Sequence, residues 1–365
     1  MGEKDRVYHP PVRRELAGIE PYRPGKRASE VRLELGLERI IKLSSNESPF
    51  APVKQARTAI SAALKGLNRY PDGACHLLRQ RLKVHTGSAY ETLMVGNGSN
   101  ELIRLLGQVV FEPGDEVIMA TPSFVVYPLV ASIMGARAIE VPLDKALAHD
   151  LDAIAKAVTS RTKLIFICNP NNPTGTVVSA RDCRAFMESV PADVLVCFDE
   201  AYHEFVTDPA YGTALSLMEK HPNVIVLRTF SKIYGLAGAR VGYGVAAPEI
   251  VAAVDKVREP FNVNLLGQIG AYYSLDSGPE IRRRASVNRA QRELVEAGLD
   301  RLGLVRAASQ TNFVYFDPGM PAAEAFDKLK RQGIIVRAFR HGDHIRATLG
   351  SPQDNRQLTA ALEAL

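Results

Sequence analysis

Residues 163–202 read KLIFICNPNNPTGTVVSARDCRAFMESVPADVLVCFDEAY. Two unbroken apolar runs, LIFIC (164–168) and VLVCF (194–198), enclose an Asn/Pro/Gly-rich turn and a helical segment at 180–189. A strand without polar alternation is one buried on both faces, as in a parallel sheet covered by helices. Strand, helix and strand in this order form a βαβ unit. Working outward, further strands are expected at 92–95, 116–119, 138–141, 224–227 and 241–245, with helices at 101–111, 125–134 and 151–158. The fold class is therefore α/β, with a mostly parallel seven-stranded sheet between helices.

The last hundred residues follow another pattern. A long helical stretch over 269–302 precedes strand-like FVYF (313–316), a helix at 322–332, strand-like IIVRAF (334–339) and HIRATL (344–349), and a final helix from Gln353. This layout predicts a smaller α+β domain. Residues 1–45 are rich in Pro, Arg and Lys until IIKLSS (40–45) and read as an arm that returns to the small domain or to a neighbouring subunit. The expected division is 1–45, 46–265 and 266–365.

Composition narrows the function. At 365 residues the chain has room for about two domains, and 46% apolar with 23% charged residues is an ordinary globular balance. The most uncharged stretch, 117–136, is broken by Pro122 and Pro128 and does not read as a membrane span. MGEKDRVYHPPVRRE lacks the apolar core of a secretory signal, so a cytoplasmic location is expected. A net charge of +5 spread over this length argues against nucleic acid and suits small anionic ligands. Cys75, Cys168, Cys183 and Cys197 form no metal-ligand spacing and are expected as reduced thiols. His341-Gly342-Asp343-His344 reads as a hairpin turn, and no metal is expected.

Five segments carry chemistry. Lys232, in TFSKIYGLAGAR (229–240), lies just past a strand end, where open α/β sheets bind ligands. Its neighbours Thr229, Ser231 and Arg240 are the hydroxyls and guanidinium that a phosphate needs. A lysine that forms a Schiff base must lose its proton, which desolvation and a nearby cation promote. Asp199, at the end of VLVCF, needs a cationic partner such as a protonated pyridine nitrogen. Tyr202 and the turn NPNNPTG (169–175) could aim polar groups at the same ligand. VGNGSNE (95–101) runs from a strand through glycines into a helix, an anion site with the wrong spacing for a dinucleotide. Phe124, in PSF, offers a ring for stacking.

In their order, GNGS, PSF, NNPTG, DEAY and SK with an arginine eight residues later, these segments resemble the fold-type I pyridoxal-phosphate enzymes, specifically the class I/II aminotransferases. Within them the chain looks like the histidinol-phosphate aminotransferases, through EPYRPGK (20–26), LSSNESP (43–49), RYPD (69–72), TFSKIYGLAGARVGY (229–243) and IIVR…HIRATLG. The resemblance covers roughly residues 20–350 and implies an aspartate aminotransferase-like fold and pyridoxal 5'-phosphate as cofactor. It implies that Lys232 holds the cofactor and moves the substrate's proton, that Asp199 meets the ring nitrogen, and that Asn172 and Tyr202 bond the ring's phenolate oxygen. Phe124 would stack on the ring. Gly98, Ser99, Asn100, Thr229, Ser231 and Arg240 would hold the phosphate, completed by Tyr70 from the other subunit of a homodimer. Arg346 would bind the carboxylate of glutamate or 2-oxoglutarate and Arg337 the phosphate of histidinol phosphate, with Tyr22, Asn46 and Asn312 bordering the substrate. The chain departs from the family in having Phe where Tyr is often found at 124 and GNGSN for the commoner GNGSD. Relatives that transaminate phenylalanine, or decarboxylate phosphorylated amino acids, share the cofactor motifs and remain the alternatives.

Overall fold

The computed structural model describes residues 11–16, 18–19, 28–339 and 343–365. Its strands in chain order are β1 (Ile41–Lys42), β2 (Leu93–Gly96), β3 (Glu116–Thr121), β4 (Arg137–Pro142), β5 (Thr162–Cys168), β6 (Leu195–Asp199), β7 (Val224–Thr229), β8 (Gly242–Val245), β9 (Phe313–Phe316), β10 (Ile334–Ile335), β11 (Arg337–Ala338) and β12 (Ile345–Thr348). β2 to β8 form one seven-stranded sheet in the order β2-β8-β7-β6-β5-β3-β4. β3 to β7 run parallel to their neighbours among themselves and to β4, and β8 is antiparallel to both β2 and β7.

The unbroken apolar runs follow from burial on both faces. Leu164, Phe166 and Cys168 of β5 pack into one core cluster, and the alternate residues Ile165 and Ile167 into another across the sheet. The helix Ser99–Val110 buries Leu102, Ile103, Leu105 and Leu106 on the first side. On the other lies the helix Ala180–Ser189, capped by Ser179, whose Oγ accepts from Asp182 N at 3.1 Å. Parallel strands deliver their C-terminal ends to one edge, so β5, β6 and β7 present Asn169, Asp199 and Thr229 together.

The small domain holds a three-stranded antiparallel sheet, β11-β12-β9, while β1 pairs in parallel with β10. Two expectations need correction. The single helix over 269–302 is two helices, Leu265–Ser274 and Gly278–Arg301. Pro279 stands in the first turn of the second, where its missing N–H costs nothing, and cannot continue the first. IIVRAF is not one strand either. Its first two residues pair with β1, and after Val336 the chain joins β12, so one apolar run serves two sheets.

Candidate active site

At the end of β7 the chain turns through Thr229, whose Oγ accepts from Ser231 N at 3.1 Å. Phe230 is buried in the core and anchors the turn. Lys232 emerges half-buried, with Nζ 5.5 Å from the centre of the Tyr202 ring. Burial and then the Arg346 charge pull the Lys232 ammonium down to about 8, against the attraction of Glu47 and Asp199. An amine so placed is a nucleophile and a base near neutral pH.

Asp199 ends β6 and is 2% exposed. One carboxylate oxygen accepts from Ala201 N at 3.2 Å, the other from the Tyr127 hydroxyl at 2.9 Å. Burial raises this acid to about 6, opposed by the Tyr127 bond and by Lys232. Each oxygen keeps a lone pair for a cationic partner. The Tyr202 hydroxyl accepts from Asn46 Nδ2 at 2.9 Å, which leaves its own proton to donate. Asn46, in the left-handed region at φ 54°, is fixed by Thr348 and by Asn312, whose Nδ2 donates to Asn46 O at 3.1 Å. Burial holds the Tyr202 phenol well above its ordinary range.

A cradle for an anion lies beside this pair. The helix Ser99–Val110 opens after Gly98 (φ 83°) with no side-chain cap, so the N–H groups of Ser99 and Asn100 point outward. A Cβ on Gly98 would lie 2.5 Å from Arg240 Nη2, which shows how closely the guanidinium approaches the bare backbone. Arg240 Nη1 also donates to Ser231 Oγ at 3.4 Å. Gly98, Ser99, Asn100, Thr229, Ser231 and Arg240 thus converge from three segments. Phe124 stands in T-shaped contact with Tyr127, ring centres 5.6 Å apart. Tyr70 is not in this cluster. It is 82% exposed and stacked on Phe261 at 4.6 Å.

On the small domain, Arg346 is buried and spans both halves of the molecule, donating to Asn172 Oδ1 and, at 3.0 Å, to Ser44 O. Its guanidinium lies 5.3 Å from the Phe313 ring centre and 5.9 Å from that of Phe339. Arg337 is its register partner on β11, so both arginines project from one face of the sheet. Tyr22 lies outside the described residues, as does part of the 341–344 turn.

Sequence reading missed two features. Tyr127, buried and stacked on Phe166, carries no motif and shows only as an aromatic one helical turn after Phe124. Glu200, next to Asp199, forms a buried pair with Arg228 (Nη2–Oε2 2.8 Å) and accepts from Ala214 N. This pair ties the loop after β6 to β7. Burial keeps His203, beside it, down at about 4 and neutral at physiological pH.

A half-buried amine with a weakened hold on its proton, an acid with free lone pairs, a ring for stacking and an anion cradle fit a phosphorylated heterocyclic aldehyde. A family model for the class I and II aminotransferases matches residues 38–365. The histidinol-phosphate aminotransferase of Moorella thermoacetica is 42% identical over 360 residues, 98% of this chain and 93% of that relative. That of Symbiobacterium thermophilum is 44% identical over 356 residues, covering 97% and 98%. Among solved structures, the histidinol-phosphate aminotransferase of Sinorhizobium meliloti in complex with pyridoxal-5'-phosphate superposes with a TM-score of 0.89 at 28% identity, covering 98% of each chain.

Proposed function

The chain belongs to the class I and II aminotransferase family, and from that premise we propose that it transfers the amino group of histidinol phosphate to 2-oxoglutarate. The products are imidazole-acetol phosphate and glutamate, and the cofactor is pyridoxal 5'-phosphate. The observation that carries the choice of substrate is the arginine pair. Arg337 and Arg346 leave one sheet face side by side, and Arg346 contacts the Asn172 that lies beside the cofactor position. The amino donor brings a phosphate and the acceptor brings carboxylates. In this reading Arg337 takes the phosphate and Arg346 the carboxylate.

When bound, the cofactor supplies an electron-poor ring that stabilises negative charge on the substrate's α-carbon. Lys232 would hold it through Nζ, and its amine is the group placed to move a proton from and to that carbon. The low affinity of its amine for protons suits this step, because a base works best with a pKa near the operating pH. Asp199 would keep the ring nitrogen protonated. Tyr202 and Asn172 would donate to the ring oxygen, Phe124 would stack on the ring, and Gly98, Ser99, Asn100, Thr229, Ser231 and Arg240 would bind the ester. Asn46 and Asn312 brace the substrate side.

The working unit in this reading is a cytoplasmic homodimer in which Tyr70 of one protomer completes the phosphate site of its partner. Supporting it, Tyr70 is exposed together with the apolar side chains Leu64, Leu67, Leu77 and Val84. Among the described residues no helix is long and apolar enough to cross a membrane. The domain limits proposed are 46–265 and 266–365.

Initial rates with histidinol phosphate, phenylalanine and threonine phosphate as amino donors test the assignment. Histidinol phosphate is expected to react fastest. A faster rate with phenylalanine would overturn it.

A further inference from the structure

A cavity of about 220 Å³ lies where the large and small domains meet, and its walls come from both. Phe50, Phe205 and Ile233 belong to the large domain, and Val287, Gln291 and Leu349 to the small one. Ile233 follows Lys232 directly, yet Lys232, Asp199, Arg337 and Arg346 do not line the cavity. Most polar side chains on the wall are committed. Arg284 donates from Nε to Glu280, from Nη1 to Ile233 O at 3.0 Å and from Nη2 to Ala51 O at 2.7 Å. Asn288 Nδ2 donates to Thr311 O at 3.0 Å, and Gln291 Oε1 accepts from Asn355 Nδ2 at 3.0 Å. Asn312 is the exception: it is 1% exposed, its Nδ2 donates to Asn46 O, and its Oδ1 is buried without a partner. We propose that this cavity is a second ligand site, separate from the substrate site, for a neutral one- or two-ring aromatic that carries an N–H or O–H donor. The site goes beyond the reaction assigned above and does not rest on it.

Size, charge and the unpaired acceptor each select the ligand. Protein interiors hold few voids larger than a water molecule, so an apolar space of this size is an exception. An apolar cavity of roughly 150 Å³ stays dry and admits benzene. About 220 Å³ therefore leaves room for a fused pair of rings. Water gains little there, because it needs several polar partners and most of the wall offers none. Charge decides against an acid. Arg284 is the one ionic side chain on the wall and is already paired with Glu280, so a buried anion would lose its water without compensation. A buried acceptor without a donor costs free energy, and Asn312 Oδ1 accordingly favours rings that bring an N–H or O–H.

Indole is the probe, with benzofuran as its match in shape without the donor. Calorimetric titration of the enzyme loaded with pyridoxal 5'-phosphate should show one site per chain, with a Kd for indole below about 1 mM. Benzofuran should bind roughly five- to tenfold more weakly. Saturating histidinol phosphate should leave the affinity for indole within about twofold, as expected of two separate sites. Val287→Phe fills the cavity from the helix Gly278–Arg301 and should weaken indole at least about tenfold. Val287→Leu adds less bulk, serves if the first variant does not fold, and should weaken indole about threefold. Absence of saturable binding, displacement of indole by histidinol phosphate, equal affinity for indole and benzofuran, or affinity unmoved in the Val287 variants would each overturn the proposal. The titration reads binding without turnover, so its outcome is independent of which amino donor reacts fastest.

Discussion

Replacing Arg337 with alanine should separate the two substrates. The side chain is half-buried and stands across the ladder from Arg346 on the same sheet face. A charge-assisted bond to an anion contributes about 1.5–3 kcal/mol, and partial exposure places this one near the lower end, about 1.5–2 kcal/mol. At 1.4 kcal/mol per factor of ten, kcat/KM for histidinol phosphate should fall roughly 10–30-fold. Glutamate, whose carboxylate is assigned to Arg346, should lose less than about threefold. Arg346→Ala should behave differently. That guanidinium is 8% exposed and also holds Asn172 and Ser44, so its loss leaves acceptors unpaired in both half-reactions. Single-turnover rates for each half-reaction, measured at two ionic strengths, provide the comparison. Salt should narrow the gap between wild type and Arg337→Ala by screening the phosphate. Equal losses for histidinol phosphate and glutamate would remove Arg337 from phosphate recognition and with it the main support for the substrate.

Lys232→Met apoprotein should be more stable than wild type at pH 7 by about 2–3 kcal/mol. The lysine falls from 10.5 in the unfolded chain to about 8 when folded, so its stabilising contribution is present above 10.5 and lost as pH falls. The advantage of the variant should therefore shrink as urea midpoints are followed from pH 7 to 10. A gain that does not depend on pH would contradict the assigned environment. The same variant should lack the red-shifted band that distinguishes lysine-linked pyridoxal 5'-phosphate from the free aldehyde, and borohydride should fix no cofactor to the protein. Gly98→Ala puts a methyl 2.5 Å from Arg240 Nη2 at a φ of 83°. Backbone strain should cost about 1 kcal/mol of stability, while the displaced guanidinium should weaken pyridoxal 5'-phosphate roughly tenfold or more and pyridoxal much less. Equal losses for the two vitamers would place the phosphate elsewhere.

The central strands β5, β6 and β7 were legible because burial on both faces writes itself as uninterrupted apolar runs, and each of the seven expected strands lies within one or two residues of the observed one. The small domain was less legible. Its strands are two to four residues long, and IIVRAF divides between two sheets for reasons that no local pattern carries. Pro279 marks the break at 275–277, but the helical pattern resumes on both sides of it.

Chemistry divides in the same way. Lysine, aspartate, glycine turns and arginines announce themselves by residue type and by position at strand ends, so the sequence alone determined which groups reach the sheet edge and in what order. It could not determine their charge states. Asp199 is raised and Lys232 lowered by burial, and burial is a property of the packed molecule. Nor could it pair Asp199 with Tyr127, 72 positions away, or set Arg337 opposite Arg346. Those contacts join side chains that only the strand register and helix packing bring within hydrogen-bond reach, and there the tertiary structure alone decides.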